Sequence, residues 1–340
     1  MRFNILFALS GSIYYNTPMI KIGNVSINTG IFLAPMAGCS DLPFRLIARE
    51  YGAKFCFYEM VDSNSLIYDH HKTYGNLKTD KRDLPIAAQL LGSDPSGMLE
   101  AAQRLLKLVN VSFLDINCAC PAKKVIKKRS GAHLLRDAPR LYNILQRLIP
   151  ELPLPVTIKI RTGFDKKDDD HIVEMAKHCE DIGVSAIFVH GRLRTQGYAG
   201  DVDYGAIKKI KDAVRIPIFG SGNVFSGESA KLMFDKTGCD GILVARGALG
   251  NPWIFNEIEE YIKTGRSSKE ISLAEKKKAL KKHLDYVDKY KSISASGKVG
   301  FMRKVAIWYL KSIPGASNLR ARITRETKTC QDILKIVMEI

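Results

Sequence analysis

Short apolar runs alternate with longer amphipathic segments through the first three quarters of this 340-residue chain. The runs are nearly continuous in apolar side chains, which is typical of parallel strands covered on both faces. The eight predicted strands span residues 31–34, 55–58, 86–90, 113–117, 156–160, 186–190, 216–220 and 241–244. The segments between them have helical spacing and begin near Asp, Ser or Pro. Eight such units predict an α/β fold of the (β/α)8 or TIM barrel class, with an open doubly wound sheet as the alternative.

The pattern changes after Trp253, where the strand signal stops. Helical spacing covers residues 272–290, 298–312 and 319–338, with interruptions at residues 294–297 and 314–315. Residues 1–18 carry only a short apolar run and no clear signal-peptide cleavage site. We therefore predict a poorly ordered N-terminal extension at residues 1–18, a barrel domain at 19–256 and a small all-helical domain at 257–340.

The positive charge of the chain is concentrated in its last quarter. The formal net charge is +17. Residues 261–340 hold 19 Lys and Arg against seven Asp and Glu, whereas the first 260 residues hold 33 against 28. Such a basic region favours a polyanionic partner such as nucleic acid. The alternative is that its lysines only keep the protein soluble.

Seven cysteines lie mostly inside apolar segments, and their odd number argues against a disulfide framework. We expect a reduced, cytoplasmic compartment. Only Cys118 and Cys120 are close in sequence, and no second Cys or His pair completes a tetrahedral site, so no metal is predicted. No later run reaches the ~20 apolar residues of a membrane span, so a membrane is not among the predicted partners.

Polar residues at the carboxyl ends of barrel strands are the ones that a ligand meets, because the interior below them is packed with side chains. Reading each end in turn gives Pro35, Met36 and Ala37 with Gly38, Glu59 with Met60, Gln89, Asn117 with Cys120, Lys159, His190, Ser221, Gly222, Asn223, Ala245 and Arg246. Burying the unpaired ammonium of Lys159 in an apolar strand is costly, so an anionic or electron-rich ligand is its natural partner. The alternatives are that Lys159 reaches water and that His190 is an ordinary core histidine.

Two glycine-bearing turns follow the seventh and eighth predicted strands, at residues 220–224 and 245–250. Turns at this place in a barrel can aim backbone N–H groups at a phosphate, and Arg246 adds charge-assisted hydrogen bonds. No Gly-x-Gly-x-x-Gly motif opens a first βαβ unit, which argues against a Rossmann dinucleotide site. The pair of turns therefore predicts a phosphate-bearing cofactor.

The stretch after the fourth predicted strand combines an amide, two thiols and a group of cations. Asn117 ends the strand, and Cys118 and Cys120 precede Pro121, which cannot continue a strand ladder. Strand alternation and the turn should aim the two thiols differently, and a thiol needs exposure before it can react. Five of the seven residues 123–129 are basic. Their position favours a lid or a contact with phosphates, with a solvated helix face as the alternative.

Together these motifs resemble one family, the tRNA-dihydrouridine synthases of bacterial type. The matching segments, in register from about residue 20 to the end, are 34–38 with 41–45, 89–95, 115–117 with 120–121, 159–163, 190–200, 246–248 with 251–255, and 302–304 with 308–311. The most specific is His-Gly-Arg-Leu-Arg-Thr-Gln-Gly-Tyr-Ala-Gly at residues 190–200. Three positions depart from the family pattern: Ala119 where Gly is usual, Ser221-Gly222-Asn223 in place of Asn-Gly-Asp, and Cys118 where Met or another residue is common.

The resemblance implies an FMN-carrying barrel with a C-terminal helical tRNA-binding domain, in which electrons from NADPH reduce the C5–C6 double bond of specific uridines in tRNA. Reduced flavin would deliver hydride to C6, and Cys120 would deliver the proton to C5. By similarity the flavin would be held by Pro35, Met36, Ala37, Gln89, Lys159, His190, Ser221, Gly222, Asn223, Ala245 and Arg246. Asn117 would orient the uracil, and Lys123, Lys124, Arg192, Arg194, Arg303 and Lys304 would contact the tRNA. We expect the protein to be a monomer.

Two other functions stay open from the sequence. An FMN-dependent oxidoreductase of a small pyrimidine-like metabolite would share the barrel and the cofactor, but it gives no reason for the basic helical region. A non-catalytic RNA-binding or chaperone protein that kept the barrel draws its only support from Ala119 and Ser221. Salt-sensitive tRNA binding separates the first alternative from the main hypothesis, and flavin absorbance tests the second.

Overall fold

The eight predicted strands close into a parallel barrel. The structure, a computed structural model, describes residues 19–267, 269–313 and 315–339, so the predicted extension at residues 1–18 lies outside the described residues. The strands are β1 (Ile20–Ile22), β2 (Val25–Ile27), β3 (Ile31–Leu33), β4 (Phe55–Asp62), β5 (Ile86–Leu91), β6 (Leu114–Asn117), β7 (Val156–Arg161), β8 (Ile187–His190), β9 (Ile218–Ser221) and β10 (Gly241–Val244). β1 and β2 form an antiparallel hairpin, and β3 to β10 pair in chain order, with β10 closing the barrel against β3. The predicted (β/α)8 barrel is confirmed, and the closed ring excludes the open sheet.

Helices cover the barrel and form the carboxyl-terminal region. They are α1 (Leu42–Glu50), α2 (Ser63–Ile67), α3 (His71–Asn76), α4 (Pro95–Leu108), α5 (Lys123–Lys127), α6 (Ala138–Leu148), α7 (Asp169–Ile182), α8 (Tyr204–Ala213), α9 (Gly227–Thr237), α10 (Ile254–Thr264), α11 (Leu273–Tyr290), α12 (Ala295–Tyr309), α13 (Ala316–Arg325) and α14 (Cys330–Met338). Asp41 and Asp94 cap α1 and α4 by accepting backbone N–H groups that a helix start leaves free. Within the described ranges, every helix is too short or too polar to cross a bilayer.

Six phenylalanine rings fill the interior of the barrel toward the amino ends of its strands. They belong to Phe32, Phe55, Phe57, Phe113, Phe188 and Phe219, all fully buried. Neighbouring centroids lie 4.3 to 6.4 Å apart, in the range of favourable aromatic pairs. Ile20, Ile22 and Ile27 of the hairpin pack against the same rings, and Ile20 also lies beside Gly30 at the start of β3. The hairpin therefore covers the amino end of the barrel and leaves the carboxyl end for a ligand.

Above the phenyl layer the inward positions become polar. Every second side chain of a strand faces the same way, so Phe113, directly before β6, is followed inward by Asp115 and Asn117. Strand pairing places polar residues of neighbouring strands next to each other in two rows. One row consists of Gln89, Asp115 and Thr157, and the other of Arg161, His190 and Ser221. A polar layer contributed by five strands thus lies at the carboxyl end, where catalytic residues of such barrels occur.

The carboxyl-terminal helices form a small bundle that packs on α1. α11 lies along α1, and the ring of Phe44 contacts His283 and Trp308 at centroid distances of 5.8 and 5.7 Å. Lys291 pairs with Asp41 at 2.6 Å in the same interface. α10 packs against α9 instead, in the place of the eighth barrel helix. The predicted boundary between residues 256 and 257 falls within α10 and stays a prediction. The packing of α10 against α9 groups this helix with the barrel.

Candidate active site at the carboxyl end of the barrel

The loop after β6 separates its two thiols by burial. Cys118 is completely buried and faces Cys179 of α7, and this burial raises the pKa of the Cys118 thiol well above its ordinary value. Cys120, two residues later, is half-buried at the rim. The two thiols therefore lie in different surroundings, and Cys120 is the one that an incoming ligand can reach.

A continuous chain of hydrogen bonds connects the barrel interior to the Cys120 loop. The Asn117 side-chain oxygen accepts from the backbone N–H groups of Ala119 (3.1 Å) and Cys120 (2.9 Å). The Asn117 amide donates to the Gln89 side-chain oxygen at 2.7 Å, and the Gln89 amide donates to Asp115 at 2.7 Å. Polar groups of the strands therefore hold the loop that carries the accessible thiol.

Asp115 is a buried acid that we did not predict as a site residue. Burial raises the pKa of its carboxyl group to about 7, against the opposing effects of hydrogen bonds from Gln89 and Thr157 and of the Lys159 charge. A signal for it was present, because an acidic residue inside an apolar strand is as costly to bury as Lys159. Lys159 is singled out in the sequence because it is a charged residue within an apolar strand, and Asp115 has the same property.

Arg161 fastens two loops of the site to each other. Its buried guanidinium donates to the carbonyl groups of Ala119 (2.8 Å), Leu193 (3.0 Å) and Gly197 (2.9 Å). The loop with Cys120 and the loop after β8 are therefore tied through one side chain. Arg161 lies in a motif of the family resemblance, but its contacts depend on loops that are distant in sequence.

Several cations face His190 across the mouth of the barrel. His190 is 6% exposed. Burial lowers the pKa of its imidazole to about 2, and the charges of Lys159, Arg161, Arg192 and Arg246 add to that effect. The imidazole is therefore neutral at ordinary pH, and the cations around it give the mouth a positive field. Such a field favours an anionic ligand.

Lys159 supplies a donor without a protein partner. Burial lowers the pKa of its ammonium to about 8, with the charge of Arg161 acting in the same direction. Among the described residues none accepts a hydrogen bond from this ammonium. A flavin nucleotide fits this set of donors, because its phosphate is anionic and its ring system carries oxygen and nitrogen acceptors.

The turn after β9 brings the backbone close to His190. Gly222 has a φ of +125°, and a Cβ atom there would lie 2.9 Å from Val202 and 3.3 Å from the His190 ring. Only glycine fits this position without strain. Asn223 also has a positive φ, of 53°, and its side-chain oxygen accepts from Arg192 at 3.0 Å. Ser221 donates to the carbonyl of Val189 at 3.3 Å.

The loop after β3, residues 35–38, is held from two sides through Gly38. The Gly38 N–H donates to the buried carboxylate of Glu59, and the Gly38 carbonyl accepts from Lys304 of α12. Met36 accepts from the backbone N–H groups of Cys39 (2.9 Å) and Ser40 (3.0 Å). The predicted cofactor-binding segment 35–37 is thus anchored both by the barrel and by the helical bundle.

Arg246 follows β10 and lies between two exposed rings. Its guanidinium carbon is 4.6 Å from the Tyr198 centroid and 5.5 Å from the Phe225 centroid. Stacking of this kind holds a guanidinium in place while its N–H groups stay available. The Arg246 cation is therefore held at the barrel mouth, and its predicted role with Ala245 beside a phosphate stays a prediction.

The residues predicted to contact tRNA lie in different settings. Lys123 and Lys124 are exposed on α5. Arg192 is buried and donates to the carbonyls of Ala199 and Gly200, while Arg194 stacks on Phe164 at 4.5 Å. Arg303 donates to Thr327, and Lys304 donates to Gly38. The roles of all six in tRNA binding stay predictions, and Lys123 and Lys124 are the two that face solvent.

No group of three or more metal-ligating side chains gathers within the described ranges. The polar groups at the barrel mouth are instead mostly donors of hydrogen bonds. An organic, anionic group suits them better than a cation does.

Comparison with known proteins gives a family and a fold. The family model for dihydrouridine synthases matches residues 32–338. The chain is 39% identical over 307 residues to tRNA-dihydrouridine synthase B of Pseudomonas aeruginosa, covering 90% of this chain and 91% of that protein. It is 35% identical over 306 residues to a probable tRNA-dihydrouridine synthase of Rickettsia conorii, covering 90% and 91%.

Solved structures with the same barrel include an old yellow enzyme homologue from Zymomonas mobilis. Its TM-score is 0.54 at 13% identity, over 76% of this chain and 95% of that chain. The old yellow enzyme from Trypanosoma cruzi gives a TM-score of 0.54 at 10% identity, over 76% and 94%. At these identities the likeness supports the barrel fold alone.

Proposed function

This chain belongs to the dihydrouridine synthase family, and we propose on that basis that it reduces the C5–C6 double bond of specific uridines in tRNA to give dihydrouridine. The observation that carries the proposal is the half-buried Cys120 thiol, held at the rim of a cation-lined barrel mouth. A reduction of this kind needs a hydride donor on one side of the base and a proton donor within reach. Cys120 at the rim can serve as the proton donor, and a bound flavin would serve as the hydride donor.

We propose FMN as the cofactor and NADPH as its electron donor. When bound, the flavin supplies the hydride that reaches C6. Lys159 and neutral His190 would donate to the ring system, with Gln89 and Pro35, Met36 and Ala37 lining it. Arg246, Ala245 and the turn of Ser221, Gly222 and Asn223 would hold the phosphate. Two features support this assignment: the buried Lys159 ammonium, which has no hydrogen-bond acceptor in the part of the chain that the structure describes, and the stacked Arg246 guanidinium.

Cys120 would hold the proton at its Sγ atom and donate it to C5, where negative charge accumulates as the double bond is reduced. The Asn117 carboxamide and the Arg161 guanidinium keep the backbone around this thiol in place. Positioning of a proton donor within hydrogen-bond reach is what such a step requires.

The base must leave its stack to reach the barrel mouth, as in other enzymes that modify a base. A thiol at the rim can meet an extruded uracil, and a thiol buried like Cys118 cannot. The basic helical region and the exposed Lys123 and Lys124 would contact phosphates of the tRNA backbone. These contacts distinguish tRNA from a free pyrimidine as the substrate.

The proposal is tested by mass spectrometry of dihydrouridine in unmodified tRNA incubated with FMN, NADPH and protein. The wild type and Cys118→Ala are expected to form dihydrouridine, and Cys120→Ala is expected to form none. Free uracil and uridine serve as parallel substrates. A yellow protein that oxidises NADPH, leaves tRNA unchanged and reduces the free pyrimidine would overturn the assignment of tRNA.

A further inference from the structure

Asp115 is the end of a hydrogen-bond chain that has a fixed direction. The Gln89 amide donates to Asp115 at 2.7 Å, the Asn117 amide donates to Gln89 at 2.7 Å, and the Cys120 N–H donates to Asn117 at 2.9 Å. Every link therefore runs from the Cys120 loop toward the acid. Thr157 adds a second donor to the carboxylate at 2.8 Å.

The two amides in the middle of the chain could each be turned by 180°. A carboxamide presents an oxygen acceptor on one side and an NH2 donor on the other, whereas both oxygens of Asp115 accept, one from Gln89 and the other from Thr157. With Asp115 accepting, Gln89 must turn its NH2 group inward and its oxygen toward Asn117. Asn117 must then turn its NH2 group toward Gln89, which leaves its oxygen for the N–H groups of Ala119 and Cys120.

Water cannot replace a missing link in this chain. Asp115 is completely buried, Gln89 is 1% exposed and Asn117 is 5% exposed. Loss of the acceptor at one end would therefore leave the Gln89 donor unsatisfied and free the amide to turn. The disturbance would pass to Asn117 and so to the loop.

We propose that Asp115 is a positioning residue for the proton donor, acting by fixing the orientation of the Gln89 and Asn117 amides and through them the Cys120 loop. The inference rests on the proposed function for its effect on turnover. Its effect on the loop itself is independent of that function.

A different role for Asp115 follows from its neighbour Lys159, whose charge it faces. Asp115 could act by balancing that charge. Asp115→Asn separates the two roles, because asparagine keeps an acceptor oxygen for Gln89 and can donate to Thr157, but carries no charge. Asp115→Ala removes both the acceptor and the charge.

The experiment compares wild type, Asp115→Ala and Asp115→Asn, with Thr237→Val as the matched control. Thr237 is also completely buried, and its hydroxyl donates to the Met233 carbonyl at 2.7 Å and accepts from the Cys239 N–H at 3.1 Å, so this variant too removes buried hydrogen bonds. Four quantities are measured: bound FMN, the rate at which NADPH reduces it, dihydrouridine formed in tRNA, and the rate at which iodoacetamide labels Cys120, read from its peptide by mass spectrometry.

We expect Asp115→Ala to form dihydrouridine at least about tenfold more slowly, since a misplaced catalytic group costs up to about 100-fold. Its Cys120 should be labelled at least about threefold faster, and flavin content and flavin reduction should fall much less than dihydrouridine formation does. Asp115→Asn should recover most of the loss in both turnover and labelling. Thr237→Val should match wild type in all four measurements.

Three outcomes would overturn the inference. Unchanged labelling of Cys120 in Asp115→Ala would show that the chain does not hold the loop. Asp115→Asn behaving like Asp115→Ala would assign the effect to charge. An equal fall of both half-reactions together with flavin loss would assign it to general structural damage. If wild type forms no dihydrouridine, the proposed function fails, and the labelling rates still decide whether Asp115 fixes the loop.

Discussion

Arg161 donates a 2.8 Å hydrogen bond to the carbonyl of Ala119, the residue directly before Cys120. The same guanidinium holds the carbonyls of Leu193 and Gly197, so one cation fixes the accessible thiol relative to the loop after β8. Three backbone acceptors that meet at one buried side chain form a rigid junction. The junction lies between the predicted proton donor and the predicted tRNA-facing loop.

Replacing Arg161 by Met should loosen this junction. We expect Arg161→Met to form dihydrouridine about 10- to 100-fold more slowly, because small displacements of a catalytic group have effects of this size. The rate is measured by mass spectrometry of tRNA under single-turnover conditions. Arg104→Met is the control, since Arg104 lies on the outer helix α4, where it makes an exposed pair with Glu100 and a long 3.5 Å hydrogen bond to the carbonyl of Leu66, and exposed pairs contribute little. Equal rates for the two variants would contradict the prediction.

Ala119 should tolerate replacement by the glycine that is usual in the family. Its backbone lies outside the positive-φ region, so the structure does not require glycine there. We expect Ala119→Gly to leave dihydrouridine formation within about twofold and to lower the free energy of unfolding by roughly 0.4–1 kcal/mol through added freedom of the unfolded chain. Urea denaturation measures the second quantity. A large gain in activity would show instead that the methyl group hinders the thiol.

Lys123 and Lys124 should contribute to tRNA affinity through charge alone. We expect the double variant Lys123→Ala, Lys124→Ala to bind tRNA more weakly and to reduce the slope of log K against log salt by roughly 1.5, since each lost phosphate contact removes about 0.7–0.9. Binding is measured between 50 and 200 mM salt. Lys177→Ala with Lys208→Ala, on the outer helices α7 and α8, is the matched control and should keep the wild-type slope. A slope that changes equally in both double variants would mean that only total charge matters.

His283 should make the protein sensitive to acid. It is completely buried in α11, one of its ring nitrogens has no partner among the described residues, and burial lowers its pKa to about 3. Below pH 6.5 the unfolded chain takes up a proton at this residue and the folded chain does not until about pH 3, so stability falls as the pH falls through this window.

The size of this effect is at most about 1.4 kcal/mol per pH unit. We therefore expect His283→Phe to reduce the slope of unfolding free energy against pH by about that amount between roughly pH 6 and pH 4.5. Urea denaturation at several pH values gives the slopes. If wild type and His283→Phe lose stability in parallel, the histidine is protonated in the folded state and the prediction is wrong.

The barrel was predictable because its strands are buried on both faces. Each buried parallel strand appears in the sequence as a short, mostly apolar run, and all eight runs became strands. The hairpin β1–β2 was not predicted, since its two strands have only three residues each and its isoleucines alternate with polar residues. The hairpin is stabilised by packing against the amino end of the barrel, and residues far along the chain form that end.

Strand ends indicated where the site lies, but not how its side chains are connected. The contact of Gln89 with Asp115 depends on strand register, and that of Arg161 with Ala119 and Gly197 depends on loop paths. Lys304 reaches Gly38 across 266 positions of the chain. Such pairings leave no local pattern in one sequence, because each partner is an ordinary residue in its own segment.

Phe44 of α1 is covered by His283 and Trp308, and one continuous buried cluster extends from the outer layer of the barrel into the bundle. Barrel and bundle are therefore not modules that evolution or engineering can exchange freely. Removal of the bundle would expose the apolar face of α1 to water, so the two parts should gain and lose stability as one cooperative unit. Exchange of the bundle for a helical region with different specificity would also require changes in the residues of α1 that pack against it.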